Sequence, residues 1–262
     1  MSEGHNGAAV TPDSPPVLVA QQEGLLTLTL NRPKSGNALS AAMVEALLDA
    51  IDAAAQDRTI HTLLLRGEGR HFCTGFDLAD LDSTTDGELL HRFVRIETLL
   101  AALWHAPQRT AVLVHGHAWG AGADLVAACE QRAAAPIATF RFPGAQFGLV
   151  LGSRRLAERV GADMARTWIT SAAVVDADDA AAHGLVSTVV HDDGNADWLS
   201  QLTTPPAVDP HTAAAIRAAT RPDHRDADLA ALVRSAARPG LRHRIADYAA
   251  RARASRAKPV PN

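Results

Sequence analysis

Leu26, Leu28 and Leu30 alternate with Thr27 and Thr29, the two-residue period of a strand with one face in a core. With Val17–Ala20 they predict a hairpin closed by a turn at Gln21–Gly24. Pro33, which has no N–H, stops the ladder, and a loop over Lys34–Leu39 follows. The period then changes. Met43, Leu47, Leu48 and Ile51 share one face of a helix that Ser40 can cap and that runs to about Gln56. Thr62–Leu65 reads as the next strand. Leu89, Leu90, Phe93, Ile96, Leu99, Leu100, Leu103 and Trp104 recur at helical spacing up to Pro107. That helix is apolar over a broad arc, so it lies in the core or roofs an apolar pocket.

Thr110–Val114 is a short β-branched run that predicts a buried strand, and Leu125–Cys129 reads as the start of a helix. Further on come a strand at Ala138–Phe142, a loop at Pro143–Gly152 and a helix over Leu156–Ile169. A second helix at Ala177–His183 is closed by Gly184, and a strand follows at Val186–Val190. Strands and helices recur at irregular spacing, which predicts an α/β fold of repeated ββα units. Beyond Pro205–Pro210 the pattern is helical only, near Thr212–Ala219, Ala227–Ala237 and Leu241–Ala257. The expected organisation is a polar, disordered tail over residues 1–16, a core over 17–204 and a helical region over 205–262.

Composition narrows the classes. The chain has 262 residues, 47% of them hydrophobic and only 4% aromatic, enough for one aliphatic core. A net charge of −4 argues against a nucleic-acid partner. No run reaches membrane-spanning length, and the first sixteen residues lack the pattern of a secretory signal. Cys73 and Cys129 are the only cysteines, too few for a disulfide framework, so the expected compartment is the reducing cytoplasm. No His/Cys spacing suggests a zinc site and no cofactor is implied. The last helix is basic, with Arg242, Arg244, Arg251, Arg253, Arg256 and Lys258. It is either a solvated face or a patch for an anionic group.

The informative chemistry lies in two turns of small residues, Thr74–Asp77 and Gly120–Gly122, each leading toward a helix. Gly120-Ala121-Gly122 does not extend to a dinucleotide fingerprint, and no phosphate-binding P-loop is present. Were the turns to face one another, one N–H from each could converge on a single oxygen and form an oxyanion hole. Asp124 stands one helical step inside the second turn. His115 and His117 flank that turn and read as packed residues.

The ordered set Asn31-Arg32-Pro33, Asn37-Ala38-Leu39, Gly69…Phe72…Gly75-Phe76-Asp77-Leu78, His115-Gly116…Gly120-Ala121-Gly122-Ala123-Asp124-Leu125 and Ala177…His183-Gly184-Leu185-Val186 resembles the crotonase (enoyl-CoA hydratase/isomerase) superfamily. The resemblance implies a spiral of ββα units, a C-terminal helical region and homotrimers or dimers of trimers. It implies acyl-CoA substrates, coenzyme A being part of the substrate. Phe76 and Ala121 take the positions of the two oxyanion-hole amides. Asn37, Ala38, Leu39, Thr74, Gly75, Asp77, Leu78, Gly120, Gly122, Pro143 and Gly144 would line the path of the substrate, and the helix Leu89–Trp104 would cover the acyl chain.

One departure matters. Hydratases of this family carry two glutamates, at the positions of Asp124 and Gly144 in this chain. Gly144 can move no proton, so Asp124 is left as the single catalytic carboxylate. Hydratase or isomerase activity is the expectation. Decarboxylation, hydrolysis or C–C cleavage on the same fold, and acyl-CoA binding without turnover, are the alternatives.

Overall fold

The computed structural model describes residues 14–191 and 195–256. The expected tail therefore falls, apart from Ser14, Pro15 and Pro16, outside the described residues, as does Lys258. Strands β1 (Val17–Gln22) and β2 (Leu25–Leu30) form the expected antiparallel hairpin, turning at Glu23 and Gly24 with positive φ at both. Helix α1 (Ala41–Gln56) is capped by Ser40, whose hydroxyl accepts from the Met43 amide at 3.2 Å. Strand β3 (Thr62–Gly67) pairs parallel with β2. Helix α2 (Asp86–Trp104) opens with a reciprocal Thr85–Glu88 capping box, one turn before its first apolar residue.

Strand β4 (Arg109–Val114) is followed by a three-residue strand β5 (His117–Trp119), helix α3 (Ala121–Ala128), β6 (Gln131–Ala134) and β7 (Thr139–Arg141). Next come α4 (Ser153–Val160), α5 (Ala162–Ser171), β8 (Val175–Asp176), α6 (Ala177–Ala182) and β9 (Thr188–Val189). Four helices follow: α7 (Asn195–Thr203), α8 (Pro210–Thr220), α9 (Arg225–Ala236) and α10 (Leu241–Arg256). The sheets run β1-β2-β3-β4-β6-β9 and β5-β7-β8.

Both faces of the large sheet are covered. Leu26, Leu28, Leu63 and Leu65 join the main core with α1 and α2. Leu25, Leu64 and Ala111 face the other way, onto Leu202 of α7. Leu232, Ala236, Leu241 and Ile245 from the last two helices enter the same main core. No helix among the described residues is long and apolar enough to cross a membrane.

Three expectations are corrected. The helix expected over Leu156–Ile169 is two helices, because Gly161 (φ 80°) breaks it and serves as the cap between them. The strand expected over Val186–Val190 shrinks to two residues. Helix α3 starts at Ala121 rather than Leu125, which places Asp124 in its first turn. The periodicity does not show α7 or the short strands β5, β6 and β8; strands of two to four residues are too brief to show a period.

Candidate active site

The segment Phe72–Asp77 lies between the loop 36–39 and β5. The Cys73 amide donates to His117, Thr74 to Gly36 and Asp77 to Leu39, and the Gly75 amide donates to the Cys73 sulfur. In the second turn Gly120 donates to Arg141, and Ala123 and Asp124 donate back to Gly120. Two amides drop out of this accounting. Those of Phe76 and Ala121 have no hydrogen-bond partner among the described residues. For Ala121 the cause is general, since the first amides of a helix have no carbonyl one turn before them.

The turns touch. A Cβ on Gly75 (φ 98°) would stand 2.7 Å from the Trp119 carbonyl oxygen and 3.5 Å from the Ala121 nitrogen. Any side chain at 75 would push the turns apart, so glycine there lets the turns that carry the two free amides touch.

Both turns open onto an apolar cavity of about 110 Å³, walled by Phe76, Phe93, Phe142, Leu149, Ile169 and Tyr248. The Phe76 and Phe93 rings stack at 4.4 Å, and the Arg92 guanidinium covers Phe76. Asp124 reaches the same cavity and is 6% exposed. Burial holds its carboxyl well above the usual carboxylate range; Glu97 nearby adds to this, and Arg155 opposes it. An open groove of about 1270 Å³ lies in front, lined by Gly36, Thr74, His117, Trp119, Arg251 and Arg253 among others. Thr74, Phe76, Leu78, Pro143 and Tyr248 belong to both spaces and form the throat between them.

The candidate residues divide accordingly. Thr74, Gly75, Phe76, Leu78, Gly120, Ala121, Asp124, Pro143 and Gly144 meet at the cavity, and Ala38 and Asp77 reach the groove. Asn37, Leu39 and Gly122 line neither space and pack behind the turns. Leu39 is 1% exposed in the core. Asn37 is fully buried with φ 54°; its side chain accepts from the Arg32 amide and donates to the carbonyls of Glu68 and His71. Gly122 backs onto Cys73, where a Cβ would fall 2.4 Å from the carbonyl oxygen. Asp77 pairs with Arg32 at 2.7 Å, so the Asn31-Arg32-Pro33 stretch ties the first turn to the loop before α1.

Helix α2 is mainly a core element. Of its apolar residues only Phe93 reaches this cavity, so the helix does not roof the cavity as a whole. His115 and His117 take part in packing: His115 hydrogen-bonds the Gly69 carbonyl, and His117 stacks between His71 and Trp119. In the basic helix, Arg244 donates to the Phe147 carbonyl and Arg242 to that of Asp82, while Arg251 and Arg253 line the groove. Tyr248, Phe147 and Leu149 carry no motif, and sequence reasoning missed them. Arg155 followed the Pro143–Gly152 loop visibly, but nothing in the sequence tied it to Glu97.

Residues 20–232 match a family profile described as enoyl-CoA hydratase/isomerase. The chain is 43% identical to a putative enoyl-CoA hydratase/isomerase from Bordetella parapertussis of known structure, with a TM-score of 0.88 over 94% of this chain and 100% of that one. It is 31% identical to the 2,3-dehydroadipyl-CoA hydratase of Escherichia coli over 78% of this chain and 79% of that protein. A probable enoyl-CoA hydratase of Mycobacterium leprae is likewise 31% identical, over 71% of this chain and 75% of its own length.

Proposed function

The chain belongs to the enoyl-CoA hydratase/isomerase family, and from that premise we propose that it forms and protonates the enolate of an acyl-CoA thioester using one carboxylate. The observation that carries this reading is the meeting of two unpartnered amides, Phe76 and Ala121, with the Asp124 carboxyl in one apolar cavity. The thioester oxygen takes both amides. Negative charge that builds on that oxygen then falls on preorganised donors in a dry site, where such donors are worth about 2.7–4 kcal/mol each. The coenzyme A portion lies in the open groove, beside Arg251 and Arg253.

Asp124 enters the cycle as the proton donor, a role that burial favours because it disfavours the charged carboxylate. It delivers that proton to the α-carbon of the enolate and is reprotonated by the water whose hydroxyl adds at the β-carbon in hydration, or by solvent where the enolate arises by decarboxylation. Hydration of a short enoyl-CoA fits this scheme, with water adding at the β-carbon. A second reading has its own support. No side chain at Gly144 can activate water, and loss of carbon dioxide from a malonyl-type thioester yields the same enolate without a base. The discriminating experiment is turnover of crotonyl-CoA and of malonyl-CoA by the wild type and Asp124→Asn. Hydration or decarboxylation lowered about 10²–10⁴-fold in the variant supports the reading. Tight acyl-CoA binding with no turnover of either, unchanged in Asp124→Asn, would mark a binding protein instead.

A further inference from the structure

A buried ion pair joins α2 and α4, the two helices packed against α3, which carries Asp124. Arg155 donates from both terminal nitrogens to Glu97, at 2.7 and 3.2 Å, and the two side chains are 4% and 3% exposed. Both partners are tied to the cavity wall by helix geometry. Glu97 stands four residues after Phe93 on α2, so it shares the face that Phe93 presents to the cavity. Arg155 stands three residues after Gly152, whose Cα packs against the Asp124 carboxyl. The chain of charge continues outward: Asp228 lies 4.0 Å from Arg155 and accepts from Arg154 at 2.8 Å. The Arg155 Nε is buried with no partner among the described residues, so its hydrogen bonds to Glu97 come from the terminal nitrogens alone.

A pair this dry is expensive to bury and weak as a source of stability. A role at the site explains its place better. We propose that Glu97 and Arg155 are positioning residues for Asp124, and that their balance of charge decides when Asp124 carries its proton. The inference rests on Asp124 being the proton-transferring group proposed above. The charged groups that act on Asp124 are Glu97 from α2 and Arg155 from α4, with Asp228 of α9 beyond Arg155; Tyr248 of α10 lines the same cavity. Burial and, after it, Glu97 push the carboxyl up, and Arg155 pulls it down. Burial raises Glu97 as well, against the pull of its own arginine. Arg155 is held by Glu97 through two hydrogen bonds and stands 4.0 Å from Asp228.

The test is a pH titration of the intact, unliganded protein by infrared spectroscopy. The carboxylic-acid carbonyl band of Asp124 is identified by subtraction of Asp124→Asn. Glu97→Gln removes the like charge and keeps the shape; it is expected to move the Asp124 midpoint to lower pH. Asp228→Asn, at the outer end of the chain, is expected to move it the same way by less. A midpoint that stays at the wild-type value in Glu97→Gln overturns the proposal. Should Glu97→Gln fail to fold, an unmoved midpoint in Asp228→Asn overturns it alone. The titration needs no turnover, so its outcome is separate from the crotonyl-CoA and malonyl-CoA assays: a moved midpoint with no turnover removes the proposed reaction and leaves the charge coupling standing.

Discussion

Asp124 and Gly152 occupy one corner of the cavity: a Cβ on Gly152 would fall 2.2 Å from the Asp124 Oδ1. Gly152 also has φ 65°, a left-handed conformation that costs an L-residue about 1–2 kcal/mol. Gly152→Ala is therefore expected to lower stability by at least about that amount and to displace the carboxyl. A shift of about 1 Å at a reacting group can cost on the order of a hundredfold in rate. Thermal unfolding and acyl-CoA turnover on the same preparation check both effects; wild-type turnover would show that the carboxyl tolerates the move.

Burying Asp124 costs stability once its carboxyl ionises. Its folded pKa is raised by burial, so its contribution to stability is full below the unfolded carboxylate value of about 3.9 and is lost as pH rises through the folded value. Asp124→Asn removes the ionisation. The variant is expected to melt higher than wild type at pH 8, by roughly 2–4 °C for each kcal/mol relieved, and the gap should close toward pH 4. Equal melting temperatures across that range would show that the carboxyl ionises freely in the folded protein.

Gly144 faces open space. A Cβ there meets nothing nearer than Leu149, at 3.9 Å, and the backbone is not left-handed. Gly144→Glu should fold and place a second carboxyl at the cavity wall. Hydration of crotonyl-CoA is expected to rise, because a group to activate water is what the wild-type cavity lacks. No gain in a folded variant would show that the cavity is shaped for a reaction without water.

Asn37 tests the support under the first turn. Its side chain satisfies one amide and two carbonyls in the core, at 2.8 Å each. Asn37→Ala leaves those groups unpaired, at about 1–3 kcal/mol for each buried group. It also puts alanine at φ 54°. Chemical denaturation is expected to show a loss of several kcal/mol, and a loss below about 1 kcal/mol would mean that the loop rearranges to pair them.

Much of this was legible in the residues. The Leu/Thr alternation of β2, the Ser40 cap and the apolar face of α1 follow local rules, and the structure keeps them. The two turns were visible because small residues cluster there, and Asp124 because it follows one of them directly. What stayed hidden depends on contacts between distant segments. Asn37 looked like a substrate residue because its motif belongs to the site's neighbourhood; only the fold shows its side chain turned into the core. Glu97 carries no local signal on its apolar helix, because its partner Arg155 is 58 residues away. Tyr248 stands in a helix whose charges dominate its pattern, so its place at the throat had no local signal.

The Phe76 and Ala121 amides are proposed to polarise a thioester carbonyl together. The carbon-13 chemical shift of the carbonyl in labelled butyryl-CoA, bound to the protein, reads that polarisation directly. A clear downfield shift from the free thioester is the expected result; a bound carbonyl that resonates where the free one does would contradict the account.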